Sequence, residues 1–263
     1  MKTLPDRRMV AAGLLALPFG GLLSRAAAQK APPPGGMRGP PPPGKPYVFE
    51  SAIGPNGQCV LIPEETEGPY PVDLFDNGKI HRRDVREDRI GIPLDLELAV
   101  MDVRNACAPI AGARVDMWQC DKDGIYSGVQ NMALAPGARS DDTRGQTFLR
   151  GIQTTDAQGR ARFVTIFPGW YPSRLTHIHF QVYLPDKRVV TSQIAFKPEL
   201  VRAVYDSLFY REHGQNTVVT SLAADNVFGD DLAKYQMIAL QGDLRQGFKG
   251  TLPVAVAGGS ARS

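Results

Sequence analysis

Residues 168–185 read PGWYPSRLTHIHFQVYLP, and this stretch spends two of the chain's four histidines one residue apart. From Thr176 the apolar residues Ile178, Phe180, Val182 and Leu184 alternate with His177, His179, Gln181 and Tyr183, and Pro185 closes the run. That period of two predicts a β-strand. Side chains two apart on a strand share a face, so the imidazoles stand about 7 Å apart at their Cα atoms. They can converge on one ion. A half-exposed strand whose polar face carries two histidines explains the same pattern, and the pair alone leaves both readings open.

Other segments share this rhythm. Residues 94–100, 113–118, 147–155, 161–167 and 189–196 are short, β-prone and bounded by Gly, Pro, Asp or Asn. TDAQGRARF (155–163) is a turn in which Gly159 requires a positive φ. The best helical pattern covers 198–214, with Pro198 near its start, Gly214 past its end and Leu200, Val204 and Leu208 at helical spacing. No internal repeat is present. The expected class is mostly β, a β-sandwich of immunoglobulin or prealbumin type with a few short helices in the connections.

The first 28 residues have a different character. Arg7 and Arg8 precede an apolar run from Met9 to Leu23, and AAAQ offers a cleavage site after Ala28. This is the pattern of an export signal, and the paired arginines suggest the twin-arginine route. Residues 29–46 form a Pro/Gly-rich linker, 47–256 the globular domain, and 257–263 a flexible tail. The expected location is periplasmic or extracellular.

The whole chain has 263 residues and a net charge of +3. Removing residues 1–28 takes away four basic and one acidic side chain and leaves 26 of each sign. A neutral mature chain gives no argument for nucleic acid or stable membrane insertion. Cys59, Cys107 and Cys120 form no C-x-x-C pair, which excludes the usual structural zinc spacings. Two of the three could pair in an oxidising compartment, and sequence does not choose which.

Two histidines do not complete a metal site. His81 and His213 lie in charged, loop-like surroundings and are expected to be solvated. Tyr126 follows a glycine turn in DKDGIYSG, and Tyr171 lies in the Pro-bracketed loop PGWYP. Either could be a buried ring with its hydroxyl on a carbonyl. Phenols ligate when a strongly charged cation displaces their proton, as Fe(III) does. DKDG fails as a calcium loop because its glycine comes two places early and position 12 would be Met132.

Four blocks carry a family resemblance: PEETEGPYPVD (63–73), GARVDMWQCDKDGIYSG (112–128), FLRGIQTTDAQGRARFVTIFPGWYPSRLTHIHFQVY (148–183) and the tail from NVFGDD to GTLPV. In this order they resemble the intradiol ring-cleavage dioxygenases, above all the exported, single-domain type, over about Pro63 to Val256. The resemblance implies one mononuclear non-haem Fe(III) held by Tyr126, Tyr171, His177 and His179. It implies Arg174 and Gln193 at the substrate, handling charge on the ring, with Tyr171 also a proton acceptor, and a pocket wall at Pro69 and Tyr70. The implied partners are a catechol-type diol and O2, the product is a muconate-type diacid, and a homo-oligomer is left open. Two departures, Gln119 in WQCD and Pro71 after EGPY, bear on substrate preference.

Two other classes are compatible with parts of the pattern. One is an exported β-sandwich binding module without catalytic metal. The other is a zinc hydrolase using the His pair, which lacks the H-E-x-x-H motif.

Overall fold

The structure is a computed structural model that describes residues 58–132, 141–185 and 187–258. The expected signal, the linker and residues 259–263 of the tail lie outside the described residues. Among the described residues nine strands run in chain order: β1 (Pro93–Asp102), β2 (Ala108–Pro109), β3 (Arg114–Trp118), β4 (Arg150–Thr154), β5 (Arg160–Ile166), β6 (His177–Leu184), β7 (Lys187–Ala195), β8 (Ala239–Asp243) and β9 (Gly247–Val256). They form two sheets packed as a sandwich. In the first, β1 lies between β9 on one side and β5 with β2 on the other, and β8 flanks β9. The second has the order β4-β3-β6-β7 and is antiparallel throughout.

Alternation builds the core. On β1, Leu94, Leu96, Leu98 and Val100 are at most 1% exposed. Opposite them the second sheet turns Val115, Met117, Ile178, Phe180, Val182 and Ile194 inward. Each such side chain stabilises the fold by roughly 1.5–3 kcal/mol through removal from water. The residues between them on β3, β6 and β7 face outward, and that outer face carries the two histidines.

The turn at Gly159, with φ +72°, crosses from β4 in one sheet to β5 in the other, as its sequence required. The helix differs from expectation. It spans only Pro198–Tyr205 (α1), and the chain then continues in turns to Gly214. Tyr205 and Tyr210 donate their hydroxyls to the carbonyls of Pro168 and Phe167, at 3.1 and 2.6 Å. Anchoring both rings to one strand end bends the backbone out of helical register and leaves Leu208 69% exposed. Strands β2, β8 and β9 have no counterpart in the periodicity reading. Gly250 and Pro253 interrupt the alternation of β9, and β2 is two residues long.

Cys59 and Cys107 are joined in a disulfide, while Cys120 is free and buried.

Candidate metal and substrate site

Four side chains meet on the outer face of the second sheet. His177 and His179 project from β6, and their Nε2 atoms lie 2.9 Å apart. The hydroxyls of Tyr126 and Tyr171 each lie 3.4 Å from His177 Nε2. All four residues are buried, with Tyr126 at 0% and Tyr171, the most accessible, at 7% exposure. The bland reading of a half-exposed strand is excluded, since six consecutive residues of β6 are buried on both faces.

Local chemistry fixes each donor. His177 Nδ1 donates to the carbonyl of Leu175 at 2.6 Å, which turns the Nε2 lone pair toward the cluster. The His179 ring stacks on Trp118, its register partner on β3, with centroids 5.0 Å apart and an interplanar angle of 1°. Asn131 clamps Tyr126 by accepting from its N–H and donating to its carbonyl, both at 2.8 Å. Tyr171 opens a turn in which Arg174 N–H donates back to the Tyr171 carbonyl at 3.2 Å. Pro172 occupies its second position and Ser173, with φ +84°, its third. That is the pattern of a type II turn, where glycine is favoured. The two tyrosine loops are tied together by Gly169 N–H donating to the Asp121 carbonyl at 3.0 Å.

Burial opposes charge on every one of these groups. Desolvation, and after it the neighbouring Tyr171, raises the Tyr126 phenol well above its ordinary range, and desolvation likewise raises Tyr171. Desolvation, followed by nearby positive charge, pushes both imidazoles well below theirs. The set is therefore two neutral imidazoles and two phenols that ionise only beside a strong cation. A hard trivalent ion suits it, because two phenolates would offset most of its charge. The space also fits: a Cβ on Gly68 would approach His179 Cε1 to 3.0 Å, so only glycine lets the 63–73 segment close over the ring. Among the described residues no group of three or more His, Cys, Asp or Glu could hold a metal. The oxygen groups that lie with the two histidines on this face are the tyrosine hydroxyls.

Arg174 is 4% exposed, and its Nη2 donates to Gln193 Oε1 at 2.7 Å. Gln193 in turn donates to the Thr66 carbonyl at 2.9 Å. Tyr70 is buried against Tyr126 and Tyr171, with centroids 5.0 and 6.4 Å away, whereas Pro69 beside it is exposed. His81 is exposed. His213 corrects the expectation of a solvated side chain: it is half-buried, lies 4.6 Å from the Trp170 ring and donates to the Trp170 carbonyl at 2.7 Å. Its charged sequence neighbours do not reveal this packing. Gln119 is buried and bonded to the Ile166 carbonyl and the Thr165 hydroxyl, away from the four donors.

Three residues at the site escaped the sequence reading. Asp225 receives Arg174 and three backbone N–H groups. Arg150, 3% exposed and with its pKa lowered to about 10 by burial, bonds the carbonyls of Tyr70 and Ser127. Asn131 makes the clamp already described. The only available signal was the Asp-Asn-Val-Phe stretch at Asp225, a composition suited to a side chain capping its own turn.

The Dioxygenase_C family model (Dioxygenase) matches residues 66–241. The chain belongs to the intradiol ring-cleavage dioxygenase family. An intradiol ring-cleavage dioxygenase from Tetranychus urticae is 32% identical with a TM-score of 0.66, and the alignment covers 78% of this chain and 98% of that one. A dioxygenase domain from Streptomyces sp. SirexAA-E, at 24% identity and TM-score 0.52 over 76% of this chain and 99% of that one, shares the fold. Hydroxyquinol 1,2-dioxygenase of Corynebacterium glutamicum is 27% identical over a match covering 38% of this chain, and this dioxygenase-family chain spans only 36% of that protein's length.

Proposed function

We propose that this chain is an exported Fe(III)-dependent intradiol dioxygenase that cleaves catechol-type diols with O2 to muconate-type diacids. The observation that carries the reading is the convergence of two buried phenols and two buried imidazoles on one point. Tyr126, Tyr171, His177 and His179 would hold the ion. Bound Fe(III) would acidify a chelating diol and draw electron density from its ring so that the ring reacts with O2.

The chain's own groups do the rest. Tyr171 accepts a proton from a diol hydroxyl, and two phenolic groups are closely matched in pKa for such a transfer. Arg174 is fixed between Asp225 and Gln193, and its guanidinium stabilises negative charge building on the ring and the attacking oxygen. Tyr70, packed on both tyrosines, keeps water from that side. Both oxygen atoms enter the product as the bond between the two hydroxylated carbons breaks.

Export is supported by the arginine-led apolar segment at 7–23 and by the Cys59–Cys107 disulfide. Replacing Arg7 and Arg8 with Lys should trap folded precursor inside the cell, and unimpaired export would overturn the route.

Metal analysis, a visible spectrum and product identification test the chemistry together. We expect one iron per chain, a broad visible band and a colourless product absorbing in the ultraviolet. A yellow semialdehyde, or dependence on added Fe(II) and reductant, would overturn the reaction class. Protein that binds no iron and remains colourless would favour a binding module.

A further inference from the structure

Four residues form one row across the outer face of the second sheet: Arg150 on β4 pairs with Trp118 on β3, Trp118 with His179 on β6, and His179 with Gln193 on β7. Directly paired residues of an antiparallel sheet share a face, and neighbouring strands lie about 4.8 Å apart. The Arg150 backbone is therefore about 10 Å from that of His179, two strands away. Its side chain reaches the loop that carries Tyr126. Nε and Nη2 both donate to the carbonyl of Ser127, the next residue, at 3.1 and 2.8 Å, and Nε also donates to the Ser127 hydroxyl at 3.1 Å. Nη2 donates to the Tyr70 carbonyl as well, at 2.9 Å, and Tyr70 packs its ring on Tyr126. One guanidinium thus ties the Tyr126 loop to the segment that covers it.

Pairing sets this arginine apart. Among the described residues two arginines are buried, Arg174 and Arg150. Arg174 has Asp225 as its counter-ion. Arg150 donates only to carbonyls and a hydroxyl, and the ionisable side chain that acts on its charge is the Tyr126 phenol. A brace between two carbonyls does not itself require a charge, because a neutral side-chain amide also carries two donors. An uncompensated cation taken out of water costs several kcal/mol. The charge needs a further reason, and Tyr126 provides one when it is an anion.

We infer that Arg150 is a positioning residue for Tyr126: its fork fastens the tyrosine loop, and its charge offsets the phenolate that Tyr126 becomes as an iron ligand, keeping the iron electron-demanding. The inference rests on the Fe(III) reading above. A fixed positive charge beside the phenolate weakens its donation to the metal and favours the reduced ion. An electron-demanding ion draws more density from a chelated diol. Arginine suits the task because its guanidinium stays charged where other bases lose their proton. Burial lowers Arg150 to about 10, which still leaves it charged near neutrality.

The Fe(III)/Fe(II) midpoint potential of the iron-loaded full chain, read by spectroelectrochemistry, tests it. Arg150→Gln keeps donors without charge, and its potential should fall below that of the unaltered protein. Arg150→Lys keeps the charge without the fork, and should recover most of that shift. Should Arg150→Gln fail to fold, the lysine variant serves alone: burial lowers a lysine's pKa, so raising the pH removes the charge in place. Its potential should then fall more steeply with pH than that of the unaltered protein. An unchanged potential in Arg150→Gln, an equal shift in both variants, or parallel pH slopes would overturn the inference and leave Arg150 a structural brace. Unaltered protein that takes up no iron would overturn the Fe(III) reading itself, and this inference with it.

Discussion

Asp225 grips Arg174 at the guanidinium Nε with both carboxylate oxygens, each 3.1 Å away, in a pair whose side chains are 5% and 0% exposed. The same carboxylate accepts the N–H groups of Leu175, Val227 and Phe228. One acid thus fixes the arginine and the turn beneath it. Removing one member of a buried pair strands the other, at a cost of roughly 3–5 kcal/mol. Asp225→Ala should lose that much in urea unfolding. Asp225→Asn, whose one oxygen can keep the Val227 and Phe228 contacts but not the Leu175 one, should lose less while its kcat falls more than its KM changes. A normal kcat in Asp225→Asn would separate Arg174 from the chemistry.

The two phenols proposed to hold the iron make a spectroscopic prediction. Tyr126→Phe and Tyr171→Phe should each shift or abolish the visible band, and His177→Ala or His179→Ala should lose iron on dialysis. Unaltered colour and turnover in Tyr171→Phe would remove that residue from the proposed set.

Ser173 holds φ +84° where glycine is favoured. Ser173→Gly should therefore relieve strain, and if the turn is otherwise unchanged the protein should gain up to about 1 kcal/mol in thermal or denaturant unfolding. A loss of stability would mean that the serine side chain supports the loop.

Glu65 and Asp116 give stability a pH dependence of known sign. Burial raises Glu65 from an ordinary 4.5 to about 7, with Asp230 and Asp231 adding to the rise and a hydrogen bond from Gln236 opposing it. Burial likewise raises Asp116 from 3.8 to about 6, against the pull of Arg114. Both folded pKa values exceed the unfolded ones, so the folded state holds the protons more tightly. Their contribution is fully present below about pH 4 and is lost as pH rises through about 6 to 7. Urea midpoints measured from pH 4 to 8 should show this fall, and Glu65→Gln should flatten its upper part.

The disulfide joins cysteines 48 residues apart. Replacing Cys59 and Cys107 with Ser should cost about 2–4 kcal/mol, mainly by freeing the unfolded chain. Reduction of the unaltered protein should lower its melting temperature comparably.

Legibility followed length scale. Strands β1 and β3 to β7 were visible because their core-facing apolar residues recur at period two, or because β-prone runs are bounded by turn residues, even where, as on β6, the outer face is buried too. β9 was not, since Gly250 and Pro253 serve its packing rather than its pattern. Helix α1 was overestimated because the spacing of Leu208 could not reveal that Tyr205 and Tyr210 would be anchored at residues 167 and 168. At the site, the His-x-His pair announced a shared face. Asp225, Arg150 and Asn131 act through contacts with residues distant in sequence, such as Arg150 on Tyr70, or through backbone groups that any residue possesses.

The parallel pairing of β1 with β9, in which Leu94 lies beside Phe248 and Asp102 beside Val256, bears on the order in which the molecule can be made. A ribosome delivers β1 long before its neighbour exists. Until β9 emerges, one edge of β1 has no strand to bond, and an open edge is an invitation to pair with another chain. The second sheet can close as soon as β7 is out, but the first must wait for the last strand. The sandwich is thus completed only once β9 has been made, with non-local contacts of the kind that make folding slow.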